Sequence, residues 1–120
     1  MNCLFCQALP LVLENDLAKA FFDKYPVTKG HLLIVPKRHA ITYFDCTWEE
    51  KIALEALIQS GKVYLEETYQ PDGFNIGTNS GRAAGQTIDH CHIHLIPRFE
   101  GDIEDPTGGV RGVIPERRVY

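Results

Sequence analysis

The sequence predicts an α+β fold, a single domain over residues 1–120 in which a mostly antiparallel sheet of about five strands carries one long helix. Three observations lead there. Short apolar runs separated by turn residues fill the first part of the chain. One stretch after Thr47 has helical periodicity and a helix start signal. Strand-like runs resume after Pro71, and the last of them carries histidines at a period of two.

Leu9 to Leu13 is an apolar run and Glu14-Asn15-Asp16 is turn chemistry, so Leu17 to Phe22 reads as the second arm of a hairpin. Tyr25 to Gly30, with Pro26 inside it, is a loop. His31 to Val35 is a strongly apolar strand that stops at Pro36, which has no N–H to donate to a ladder. Thr47-Trp48-Glu49-Glu50 matches a capping box, with Thr47 as N-cap and Glu50 at N3, and predicts a helix to about Thr68. Ile52, Leu54, Leu57, Ile58 and Leu65 supply its apolar positions, and Glu55, Gln59, Lys62 and Glu66 its polar stripe; Gly61 weakens the helix without breaking it. Pro71-Asp72-Gly73 turns the chain into a strand over Phe74 to Thr78. A loop with Gly81 and Gly85 follows, then the histidine strand from about Asp89 to Arg98. Residues 99–120, with Gly108-Gly109, Pro106 and Pro115, read as an irregular C-terminal arm.

Bulk properties narrow the function. The formal net charge of −4 excludes the broad basic footprint of a nucleic-acid binder and leaves only local anion sites. No apolar run reaches the roughly 18 residues of a membrane span, and no basic stretch precedes a long apolar one, so no membrane span or secretory signal is expected. The chain has 4 cysteines, among them the pair Cys3-x-x-Cys6, which fits a reduced, cytoplasmic setting where such a pair binds metal or does redox work.

Residues His90 to Ile96 read His-Cys-His-Ile-His-Leu-Ile. On a strand, His90, His92 and His94 share one face while Cys91, Ile93 and Leu95 fill the other. Same-face neighbours lie roughly 7 Å apart, so the outer two are about 13 Å apart, too far for all three to ligate one ion at about 2 Å. At least one histidine therefore has other work, and near neutral pH imidazole offers nucleophilic and acid–base chemistry. The loop upstream supplies what an anion needs: Gly81 and Gly85 let the backbone approach, Gln86 and Thr87 add side-chain donors, and Arg82 adds charge. Together these suggest a phosphate held before a histidine nucleophile.

The run matches the pattern of the histidine triad (HIT) family, His-φ-His-φ-His-φ-φ with φ apolar, and the resemblance extends over about residues 3–98. Asn79, Gly85-Gln86-Thr87, Phe22-Asp23 and the segment Gly30 to His39 sit where that family keeps its phosphate loop, ribose contact and central strand. The resemblance implies a hydrolase that cleaves nucleoside phosphoramidates or dinucleoside polyphosphates at the α-phosphate through a nucleotidyl-histidine intermediate. His92 is then the nucleophile, with Nδ1–H tied to a backbone carbonyl. His94, Gln86 and Thr87 hold phosphate oxygens, with Asn79 and Gly85 in the nucleotide site. Asp23 accepts from the ribose hydroxyls, and His31 orients the triad from behind. The expected substrate is a purine nucleotide or dinucleotide. Two alternatives stand beside this reading: a nucleotidyltransferase using the same intermediate, and a non-catalytic nucleotide-binding protein.

Cys3 and Cys6 are half of a closed zinc site, which needs four ligands. By residue type, His31, His39 or one triad member completes it. Bacterial-type HIT proteins and the related galactose-1-phosphate uridylyltransferases resemble this chain in the Cys-x-x-Cys, and that resemblance implies the ligand set Cys3, Cys6, His39 and His90 around a structural zinc. It also implies a homodimer, with Arg111 of the C-terminal arm near a neighbouring pocket. Lys37 and Arg38 read as a solvated face, and Cys46 as a small residue without assigned function.

Overall fold

The computed structural model describes residues 3–120. Its strands are β1 (Leu13–Glu14), β2 (Ala18–Phe22), β3 (Leu32–Pro36), β4 (Gly73–Thr78) and β5 (Ile93–Arg98), with the helix α1 (Trp48–Tyr69) between β3 and β4. They form one five-stranded sheet in the order β1-β2-β3-β5-β4, and every pairing is antiparallel. After α1 the chain reaches the far edge as β4 and returns as β5 between β4 and β3.

The hairpin forms, but β1 is shorter than the apolar run suggested. Pro10 breaks that run, and Leu9 leaves the sheet to pack beside Phe5, Phe21, Leu33 and Val35. Pro36 closes β3 rather than standing outside it, and His31 sits just before the strand. The β5 ladder starts at Ile93, so His90, Cys91 and His92 precede it. Alternation nevertheless runs through them: Cys91, Ile93 and Leu95 join the core beneath α1, while His90 and His92 face Phe5 on the other side of the sheet.

The capping box at the start of α1 is present, with Glu50 N–H donating to the Thr47 hydroxyl and Thr47 N–H to the Glu50 carboxylate. Leu54, Leu57, Gly61 and Leu65 form the buried stripe. Ile52, expected among the apolar positions, is exposed together with Trp48, because both lie off that stripe. Gly61 is where helix and sheet approach: a Cβ there would stand 3.0 Å from Leu95 and 3.3 Å from Leu32. Lys37 and Arg38 are exposed, as expected, and both are paired. The Arg38 guanidinium grips the buried Glu50 carboxylate through two 2.9 Å bonds, while Lys37 pairs with Glu14. That grip, more than any other contact, holds the Glu50 carboxyl below its ordinary range. The C-terminal arm is irregular apart from short 3-10 turns at Gly109–Val113 and Pro115–Arg117. Among the described residues no helix is long and apolar enough to cross a membrane.

Candidate functional site

The sheet has two unlike faces. Helix α1 covers one. The other, carrying His90, His92 and His94, is covered near these residues by the N-terminal segment around Phe5, which is 3% exposed. His90 and His92 therefore face a second, smaller core, while His94 is half-buried beside His92, and each histidine meets different partners.

His92 is buried, and its Nδ1–H donates to the His90 carbonyl at 2.8 Å, which leaves the Nε2 lone pair free. Thr78 at the end of β4 donates its hydroxyl to the His92 carbonyl at 2.8 Å, so the backbone on both sides of His92 is fixed. His94 stands beside it, with ring centroids 5.3 Å apart.

Behind His94 runs a directional chain. The Val27 N–H donates to His31 Nδ1 at 3.0 Å, so the neutral His31 ring carries its hydrogen on Nε2. That Nε2–H meets His94 Nδ1 at 2.9 Å, and His94 in turn must carry its hydrogen on Nε2. Burial above all, then the neighbouring His31 and His92, push the His94 imidazole down to about 4, and burial lowers His31 despite the carboxylate of Asp23 at 3.5 Å. Both rings are thus neutral near pH 7. Asp23, His31 and His94 lie close enough to hold a metal ion, but the hydrogen on His31 Nε2 occupies the position a ligand lone pair would need. The arrangement is a hydrogen-bond relay.

His90 has the opposite polarity. Its Nε2–H donates to the Pro36 carbonyl at 2.8 Å, so Nδ1 presents a lone pair, 3.2 Å from Cys3 Sγ and 3.4 Å from Cys6 Sγ. His39 Nδ1 lies 3.3 Å from Cys6 Sγ, and the four ligand atoms all fall within 4.8 Å of one another. Two sulfurs and two nitrogens about 2.0–2.3 Å from a tetrahedral ion stand roughly 3.3–3.8 Å apart, so the donor set fits such an ion with little movement. Cys3, Cys6, His39 and His90 could therefore hold a metal ion.

The glycine loop adopts the backbone that its sequence requires. Gly81 and Gly85 have φ of +93° and +96°, flanking a short turn at Arg82–Ala84. Gln86 is buried and fully occupied: its amide N–H groups donate to the carbonyls of Ile41 and Ile88, and its oxygen accepts from the Gly81 N–H. It shapes the loop and presents no free donor to a ligand. Thr87 is exposed, Asn79 is half-buried just after β4, and Arg82 points to Asp89 at 3.9 Å across the surface. Arg111 bonds the carbonyls of Arg117 and Arg118 within its own arm. A separate cleft of about 530 Å³ opens at the other end of β5, but its Asp102 is bound by Arg98 and its Asp72 by the Glu100 N–H.

Three contributors escaped the sequence reading: Phe5 against His92, the Thr78 hydroxyl and the Val27 N–H. Phe5 is legible only as the residue between two cysteines, and the other two carry no sequence signal at all.

A family profile described as the HIT domain matches residues 8–101. An adenosine 5'-monophosphoramidase of Schizosaccharomyces pombe is 34% identical over 82% of this chain and 75% of its own length. An AP-4-A phosphorylase of Mycobacterium tuberculosis is 36% identical over 88% of this chain and 55% of its own. A HIT family protein from Bacillus anthracis superposes with a TM-score of 0.79 at 36% identity, covering 84% of this chain and 76% of that one. A zinc-bound histidine triad family protein from Mycobacterium smegmatis superposes with a TM-score of 0.77 at 32% identity, covering 87% and 80%. On the profile match over most of its length, and on these relatives, the chain belongs to the HIT family.

Proposed function

We propose that this protein is a nucleotide hydrolase that cleaves nucleoside phosphoramidates or dinucleoside polyphosphates at the α-phosphate, with His92 as nucleophile. The observation that carries the reading is the His92 ring, held by its Nδ1–H on the His90 carbonyl so that Nε2 keeps a free lone pair. In the first step that lone pair attacks the α-phosphorus, the Nε2–P bond forms, and the bond to the leaving amine or phosphate breaks, a leaving amine taking the proton it needs from solvent. In the second step water attacks the same phosphorus and gives up a proton to solvent, the Nε2–P bond breaks with its electron pair returning to Nε2, and the nucleoside monophosphate is released with His92 restored.

His94 donates its Nε2–H to a phosphate oxygen, and the relay from Val27 through His31 keeps that hydrogen in place. Gly85 and Thr87 line the phosphate approach, with Asn79 beside them. Gln86 acts by holding the loop. The Asp23 carboxylate serves the ribose hydroxyls of a purine nucleotide. Cys3, Cys6, His39 and His90 hold a structural zinc, which fastens the N-terminal segment to the turn that carries the nucleophile. The protein works as a homodimer. The free state of all four cysteines suits a cytoplasmic setting.

A turnover panel of adenosine and guanosine phosphoramidates and dinucleoside polyphosphates, run on wild type and His92→Ala, tests the reading. Hydrolysis by wild type and none by the variant, with nucleotide binding retained, is expected. Near-normal turnover by His92→Ala would refute it. The AP-4-A phosphorylase relative favours a second reading in which inorganic phosphate replaces water in the second step. A nucleoside diphosphate product that depends on added phosphate identifies that reaction.

A further inference from the structure

The N-terminal turn Leu4–Cys6 carries Phe5 between two of the metal-ligating residues. Its ring packs edge-on against the His92 imidazole, with centroids 5.1 Å apart at 71°, and against His90 at 6.0 Å and 81°. Phe21 backs it from the sheet at 5.3 Å. His92 is thus held at Nδ1 by a carbonyl, on one side by His94 at 5.3 Å, and on another by Phe5. Swinging the ring about its Cα–Cβ bond would break the carbonyl bond, and Phe5 and His94 block small displacements that would keep it.

Among the described residues, little else fixes the turn that carries Phe5. Its backbone bonds are local, from Cys6 N–H to the Cys3 carbonyl and from Gln7 N–H to the Leu4 carbonyl, and the turn has no side-chain cap. Among the described residues its anchors to the body are the sulfurs of Cys3 and Cys6 against His90 and His39, the bond from Lys19 to the Gln7 carbonyl, and Phe5 itself. Sulfur–imidazole hydrogen bonds are weak, whereas four bonds to one ion would make the turn part of the rigid body.

We propose that Phe5 is a positioning residue for His92, and that filling the Cys3/Cys6/His39/His90 site is what seats it, so that metal occupancy sets the nucleophile's orientation through one aromatic side chain. The inference rests on His92 being the nucleophile. It gives the metal site a consequence for turnover without assigning any of its ligands a contact with substrate. Phe5 is not merely a plug in the second core, because a plug needs only volume, whereas this contact needs a flat ring edge.

The test compares zinc-reconstituted wild type with Phe5→Leu and Phe5→Met, which keep apolar volume without a ring, and with Phe5→Tyr, which keeps the ring. For Leu and Met we expect kcat to fall roughly three- to tenfold, the size of an aromatic edge contact, with KM within about twofold and one zinc per chain retained. The His92 Cε1–H proton resonance, assigned against His92→Gln, should shift in both, and the tyrosine variant should restore kcat and resonance together. Wild type stripped of zinc by a chelator should show the same shift, and removing zinc from Phe5→Leu should add little to it. If the stripped protein unfolds, the zinc-loaded variants decide by their resonance and their kcat. An unmoved His92 resonance with full kcat in the Leu and Met variants overturns the inference while leaving His92→Ala inactive. Turnover by His92→Ala overturns the reading beneath it instead.

Discussion

Replacing His31 with Leu removes the middle of the relay behind the nucleophile. His31 is 1% exposed and makes three polar contacts. The loss at Val27 costs little, because that residue is 71% exposed and water replaces the acceptor. Asp23, 3.5 Å away, loses only a neutral neighbour and keeps its bond from the Tyr25 N–H. The expense falls on His94, whose half-buried Nδ1 loses its only donor named above. A buried acceptor left without a partner costs about 1–3 kcal/mol, and leucine is close enough in size that repacking adds less than about 1.5 kcal/mol. Nothing then keeps the His94 hydrogen on Nε2, and a ring with its hydrogen on Nδ1 accepts where the phosphate needs a donor. At about 1.4 kcal/mol per factor of ten, kcat/KM should fall by roughly 5- to 140-fold. The assay is hydrolysis of adenosine phosphoramidate, with thermal melting in parallel to establish that the variant folds. A folded His31→Leu protein with kcat/KM within about twofold of wild type would refute the relay.

Three further outcomes follow from the same geometry. Because burial and its neighbours hold His94 down to about 4, the unfolded chain binds the extra proton first, so the contribution is intact above about pH 6.5 and is lost as pH falls toward 4; melting temperatures across that window should fall more steeply in wild type than in His94→Gln, and parallel profiles would contradict this. Arg38→Met should lower the stability read by denaturant unfolding at pH 7, because the buried Glu50 carboxylate loses its guanidinium partner. The Glu50 carboxyl is held low in the folded protein, so this contribution is present above its unfolded value near 4.3 and fades as pH falls through the folded one; an equal loss at pH 3 would argue against the ion pair. Elemental analysis should find one zinc per chain in wild type and none after Cys3→Ser with Cys6→Ser, and a metal-free wild type of unchanged melting temperature would remove the metal from the account.

Much of this protein could be read before folding it. The capping box from Thr47 to Glu50, the period-two histidines and the glycines of the loop are local signals, and each appears in the structure because neighbours in sequence suffice to produce it. What the sequence did not show has the opposite cause. Ile52 matched an apolar position but lies off the stripe that meets the sheet, and the bond that exposed Arg38 makes to Glu50 spans 12 residues. Gln86 has the composition of a phosphate donor, yet its amide is taken up by the carbonyls of Ile41 and Ile88, a partnership that no spacing encodes.

The histidine run itself divides along the same line. From the sequence alone came three imidazoles on one face and the reason they cannot share one ion, since an extended backbone, paired or not, sets their separation. The family pattern named His92 among them. Only the tertiary structure decided what each nitrogen can do. The Pro36 carbonyl takes the hydrogen of His90 Nε2 and leaves Nδ1 to face the cysteines, the His90 carbonyl frees His92 Nε2, and the Val27 N–H, acting through His31, makes His94 a donor. Two of these three directing groups come from distant parts of the chain. A tautomer is set by whichever group reaches the ring in space, and for a ring tied to a distant segment that is known only once the chain has folded.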